Sequence, residues 1–169
     1  MFFWKKKAAA QATKTVLAFG SFDLLHAGHE NFLNQARALG EKLIVVLARD
    51  KTIRSVKGHD PVNNERQRVK NLRLKGWADE IILGNHEDKH KIVLKVRPDI
   101  IALGYDQFVF TQTLQSTLIK HGLDSEIVRL MPYLPQVYKS SILRAKQETG
   151  AMEAITVPQT VSPLQGRSL

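Results

Sequence analysis

The 169-residue chain carries 25 lysines and arginines against 16 aspartates and glutamates, a formal net charge of +9, and is 43% hydrophobic and 24% charged. That length and balance describe one folded domain with tails, not two domains, a disordered chain or a membrane protein; the lack of cysteine removes disulfides, thiolate metal sites and a cysteine nucleophile. The excess charge points to an anionic partner, and a small polyphosphate fits better than nucleic acid because the basic residues are spread out without interleaved aromatics.

The first fourteen residues, "MFFWKKKAAAQATK", place their charges after their apolar residues, the reverse of a secretory signal, and read as an N-terminal extension. Phe2, Phe3 and Trp4 beside Lys5, Lys6 and Lys7 could touch an anionic membrane surface, but a frayed terminus is the simpler account. No apolar run reaches the roughly 18 residues that a membrane span needs.

"TVLAF" at 15–19 is a short apolar run ending at Gly20, as expected of a strand buried on both faces. Phe32, Leu33, Ala36 and Leu39 follow at helical spacing, with Gly40 as the expected helix end, and "KLIVVLA" at 42–48 is a second buried strand. The alternation continues with a helix over 64–76 closed by Gly76, strand 80–84, a short helix over 89–96, strand 99–104, a helix over 111–121 and strand 125–130. A proline-containing loop at 132–139 leads into a last helix, "SSILRAKQ", and from Gly150 the composition shifts to a polar C-terminal tail. Strands alternating with helices predict α/β architecture: a doubly wound parallel sheet of about five strands in one domain over 15–149.

In such a sheet ligands bind beyond the carboxyl ends of the strands, where "GSFDLLHAGH" leaves the first one. Neither GxGxxG nor GxxxxGK[ST] is present, so phosphate chemistry needs another device. His26 and His29 supply it: two imidazoles can donate hydrogen bonds, the helix start adds a positive dipole end, and Gly28 lets a phosphate approach the backbone. "HEDKH" at 86–90 matches the H-E-x-x-H zinc pattern, but its polar setting between two strands predicts a loop entering a short helix, and no metal ligands are assigned.

"GSFDLLHAGH" resembles the GxFDxxHxGH signature of the cytidylyltransferase-like nucleotidyltransferases. The likeness continues through "ARDKT", "KGHDPV", "NERQR", "WADEIILG", "RPDIIALGYDQ" and "YKSSI", about residues 15–148. It implies a Rossmann-like cytoplasmic enzyme, and "ARDKT" and "GYDQ" are most similar to archaeal-type FAD synthases, which transfer AMP from ATP to FMN. Glycerol-3-phosphate cytidylyltransferases, acting on CTP and a polyol phosphate, are next, but they carry an arginine-containing stretch where this chain reads "VYKSSI". A nucleotide- or nucleic-acid-binding module without turnover is the alternative of another class.

The resemblance implies that His26 and His29 bind the triphosphate and stabilise the transition state, and that Gly20, Ser21 and Phe22 line the nucleotide. Arg68 would hold phosphate, with Arg66 as the competing match, and Lys57 would reach the phosphates from a flexible segment. Asp106 and Gln107 would contact base or acceptor, and Ser140 and Ser141 would meet phosphate. Mg²⁺ would arrive with the triphosphate, and a homodimer through Phe2, Phe3 and Trp4 is left open. No general base is required, because a phosphate monoester with a second pKa of about 6 is already largely ionised.

Overall fold

A computed structural model describes residues 13–85, 88, 90–138 and 140–148. The extension and tail expected at 1–14 and 150–169 lie outside them, Thr13 and Lys14 excepted, as do His86, Glu87 and Lys89 of "HEDKH".

The chain runs β1 (Thr15–Gly20), α1 (Ala27–Arg37), β2 (Lys42–Leu47), α2 (Asp50–Lys57), α3 (Glu65–Lys75), β3 (Glu80–Leu83), α4 (Lys91–Val96), β4 (Ile100–Leu103), α5 (Phe108–Lys120), β5 (Glu126–Arg129) and α6 (Ser140–Glu148). The strands form one parallel sheet in the order β3-β2-β1-β4-β5. Strand order therefore reverses between β1 and β4, and a crevice opens beyond their carboxyl ends.

Alternation along the strands separates two apolar layers. Val16 and Ala18 of β1 pack with Leu33 and Ala36 of α1 and Leu72 of α3. Leu17, on the opposite face, packs with Val93 of α4 and Leu114 and Leu118 of α5. Both faces of β1 are thus covered, which is why its sequence is apolar without a period of two.

Two local expectations change. An eight-residue helix, α2, forms where the sequence analysis placed none; Ile53 is its one buried residue, and Gly58 ends it in the left-handed region at φ 72. Gly40 does not close α1, which ends at Arg37 with Ala38 as its cap. A Cβ at Gly40 would lie 2.6 Å from the Lys14 carbonyl oxygen, so this glycine serves a close crossing of chain beneath β1.

The edge opposite the crevice is tied by two aspartates. Asp79 accepts from the Leu43 N–H at 2.7 Å, and Asp99 from the Thr15 N–H at 2.7 Å. "WADEII" and "RPDII" thus hold the starts of neighbouring strands in register, away from the crevice.

Candidate active site

The turn from β1 into α1 sets the geometry. Phe22 takes φ 45, in the left-handed region, and its ring is buried. Gly20 makes room for it, since a Cβ there would fall 2.5 Å from the ring. The resemblance gives Phe22 a nucleotide-lining role; instead its ring packs inward, 5.2 Å from the His29 ring centroid and 6.3 Å from that of Phe32. It supports the histidine from below.

His26 is the N-cap of α1, without a side-chain bond to the helix N–H groups, and its backbone carbonyl accepts from His29 N at 2.9 Å. The two rings stack with centroids 3.9 Å apart and planes at 22°. They share the helix end whose first-turn N–H groups lack intrahelical partners and carry a partial positive charge. Gly28 is explained differently from the expectation: a Cβ there would be 2.9 Å from the His26 ring and 3.0 Å from the Tyr138 carbonyl oxygen. Its bareness admits protein, the ring and the β5–α6 loop.

Burial sets the protonation of both rings. It lowers His26 from 6.5 to about 4, and lowers His29 to about 3 with His26 and Lys57 adding like charge against a Leu24 backbone hydrogen bond. Both imidazoles are therefore neutral near pH 7 with one ring N–H each, and the Leu24 backbone engages the ring of His29.

The unfolded chain binds more protons than the folded one wherever folded histidine pKa values are depressed. The resulting stability is complete above pH 6.5 and is lost as pH falls toward 4 and 3. The urea midpoint should fall between pH 6.5 and 4.5, above the ordinary range of the stabilising carboxylates Glu65 and Asp79. Urea titrations of wild type and His26→Ala/His29→Ala check this; an equally steep slope in the double variant would contradict it.

Around the rings, Lys57 at the end of α2 donates from Nζ to Ser21 Oγ at 3.0 Å, which brings two of the expected site residues together. Its segment is a helix end and not a flexible loop. Loss of water around the ammonium lowers its pKa, against the pull of Asp106 and Asp23. Asp106 is exposed just beyond β4. Gln107 is a clamp: Nε2 donates to the Phe19 carbonyl at 2.8 Å and Oε1 accepts from Gly104 N at 3.1 Å, joining β1 to β4 at the reversal point. Both ends of the amide thus also serve the frame of the site.

Arg68, to which the resemblance assigns phosphate holding, makes its hydrogen bonds within the protein. Its side chain is 0% exposed. Nε donates to the Asn63 carbonyl at 3.0 Å, Nη1 to Ser21 at 2.6 Å, and Nη2 to Ala48 and to Asp50 Oδ1, each at 2.7 Å. The guanidinium binds the carboxyl ends of β1 and β2 to the start of α2, so it builds the floor. Arg66 is exposed on α3. Ser141 lies exposed in the first turn of α6, and of Ser140 only the backbone is described.

Two residues escaped the sequence reading. Asp23 is 8% exposed and accepts from Val62 N at 2.7 Å and Asn63 N at 2.8 Å, fastening the α2–α3 loop beside the histidine turn. Arg144 of α6 lies 3.7 Å from Asp23, donates to the Asp60 carbonyl at 2.6 Å and meets His59 Nδ1 at 2.7 Å. Its spacing of four from Ser140, which puts both on one helix face, was the available signal.

Among the described residues no group of three or more histidines, aspartates or glutamates is placed to hold a metal, and none of the helices is long and apolar enough to cross a membrane.

The sequence profile described as Cytidylyltransferase-like matches residues 17–146. The FAD synthase of Thermococcus onnurineus is 44% identical over 120 residues, 70% of this chain and 79% of that protein. That of Thermoplasma volcanium is 42% identical over 131 residues, 78% of this chain and 92% of the relative. A solved structure described as the lipopolysaccharide core biosynthesis protein from Thermoplasma volcanium superposes with a TM-score of 0.67 at 41% identity, covering 72% of this chain and 98% of that one. A pantoate-beta-alanine ligase from Francisella tularensis shares the fold at a TM-score of 0.54 and 10% identity, covering 83% of this chain and 71% of that one.

Proposed function

The chain belongs to the cytidylyltransferase-like family, and from that premise we propose that it transfers AMP from ATP to the phosphate of FMN, giving FAD and pyrophosphate. The observation that carries this reading is the pair of neutral, stacked imidazoles of His26 and His29 at the start of α1, beside the β1–β4 reversal point. The choice of ATP and FMN follows from the FAD synthase relatives.

In the reaction an FMN phosphate oxygen attacks the α-phosphorus of ATP, a new P–O bond forms, and the bond to the bridging oxygen of the β-phosphate breaks. The bonding electrons leave with pyrophosphate. Because the attacking phosphate is already anionic, the protein has no proton to remove. Its contribution is to place the reactants and meet charge as it develops.

The neutral rings suit that task. The N–H of His26 donates to an oxygen of the reacting phosphates, His29 gains a second N–H for them when the triphosphate's negative charge favours its protonated form, and the helix end adds its partial charge. Lys57, steadied on Ser21, supplies a full positive charge from the other side of the turn. Asp23 and Arg68 act through the loops that they hold.

A divalent cation fits this donor set as a passenger on the triphosphate. Asp50 is committed to Arg68 and the Glu65 N–H, and Asp23 to two backbone N–H groups, which leaves the exposed carboxylate of Asp106 at this edge. Mg²⁺ keeps several waters and needs few protein ligands, and when bound it neutralises phosphate charge. A cytoplasmic location is part of the same proposal and rests on the cysteine-free sequence.

Purified protein incubated with Mg²⁺, ATP and FMN should yield FAD and pyrophosphate, resolved by chromatography. CTP with glycerol 3-phosphate should give no CDP-glycerol. A CDP-glycerol product without FAD would transfer the assignment to that rival, and tight, salt-sensitive RNA binding without any turnover would move it to a binding module.

A further inference from the structure

The loop between β5 and α6 is built to stand against the histidine turn. It contains Pro132 and Pro135, Leu134 takes φ 41, and the N–H groups of Val137 and Tyr138 both donate to the Leu134 carbonyl at 2.9 Å. α1, the helix of the histidines, grips the start of this loop. Gln35 Nε2 donates to the Met131 carbonyl at 3.0 Å, and its Oε1 accepts from Met131 N at 3.2 Å. At the far end, the bare Gly28 lets the Tyr138 carbonyl come within 3.0 Å of where a Cβ would be.

Between these anchors the Tyr138 ring lies nearly parallel to that of His26, with centroids 6.2 Å apart and planes at 20°. Tyr133 backs Tyr138 at 5.8 Å and 14°. His26 makes no side-chain cap bond to its helix. Two neighbouring rings, those of His29 and Tyr138, lie nearly parallel to its imidazole and limit how it can turn. An offset stack of this kind acts on the ring face and restricts ring rotation.

We propose that Tyr138 is a positioning residue for nucleotidyl transfer: its ring, backed by Tyr133 and fixed to α1 through Gln35 and Gly28, holds the His26 imidazole in the orientation that reaches the nucleotide. The role rests on the reading of the site given above. The loop acts through the ring face, so the tyrosine hydroxyl is dispensable. Misplacing a group by about 1 Å can cost on the order of 10²-fold in rate, while the affinity for ATP is shared among several contacts.

The test combines kinetics with imidazole NMR. Tyr138→Leu should lower kcat by about tenfold or more and leave KM for ATP within about threefold, and Tyr138→Phe should retain wild-type kcat. In ¹⁵N-histidine spectra recorded without substrates, the His26 resonances should shift in Tyr138→Leu and stay near wild type in Tyr138→Phe. Wild-type kcat in Tyr138→Leu, or loss of kcat in Tyr138→Phe equal to that in Tyr138→Leu, would overturn the proposal. So would unchanged His26 resonances in Tyr138→Leu. Backbone amide spectra of β1 identify a variant that has merely unfolded, and for such a variant Tyr133→Leu, which removes the backing ring, should give the same pattern in smaller measure. Failure of the wild type to make FAD would remove the acceptor assignment while the NMR comparison still decides the role of Tyr138.

Discussion

His29→Ala should lower the rate of FAD formation by about 10²–10³, the size of losing one donor aimed at developing transition-state charge. The imidazole is half-buried at the first turn of α1 and stacked 3.9 Å from its neighbour, so no other side chain can take its place without displacing His26. KM for ATP should change much less than kcat, because the lost bond strengthens as the pentavalent phosphorus forms. His26→Ala should fall in the same range. The double variant should lose less than the product of the two factors, since rings in contact act as a unit. Steady-state assays of the three variants measure this, and an unchanged kcat in His29→Ala would take that residue out of the mechanism.

Arg68→Met should destabilise the fold by about 3 kcal/mol, the scale of losing several charge-assisted hydrogen bonds around a buried guanidinium. The loss leaves three carbonyl groups, those of Ser21, Ala48 and Asn63, without their guanidinium donor, and takes from the partly exposed Asp50 carboxylate its charged partner while the Glu65 N–H remains. Against a typical total stability of about 5–15 kcal/mol, such a loss is a large share. Arg68→Lys should recover little, because one ammonium cannot span acceptors arranged around a planar fork. Urea denaturation followed by circular dichroism reads the change directly. A variant that keeps the wild-type midpoint yet loses ATP affinity would restore the phosphate-holding role that the resemblance assigns to Arg68.

The motif stretches carried more scaffold than their resemblance suggests. "ARDKT" contributes Arg49, bonded to Gly84 and Glu65, and Asp50, bonded to Arg68 and Glu65. "GYDQ" contributes the Gln107 clamp. From sequence such residues read as ligand contacts, because a polar side chain at a strand's carboxyl end has the right position for either task. Only the location of its partners separates them.

The order of the strands and of every helix but α2, the β1–α1 junction and the histidine pair were legible in the chain, because each depends on local chemistry: apolar runs that must be covered, glycines at strand exits, and the spacing of side chains along one helical turn. The tertiary structure decided the protonation of the imidazoles, the turning of Arg68 inward, and the meeting of Asp23 with Arg144 and of His26 with Tyr138. Those properties are set by burial and by contacts between segments more than a hundred residues apart in the last two cases. Neither can be read from a residue's neighbours in the chain, since desolvation and packing exist only after the sheet has brought its crossovers together.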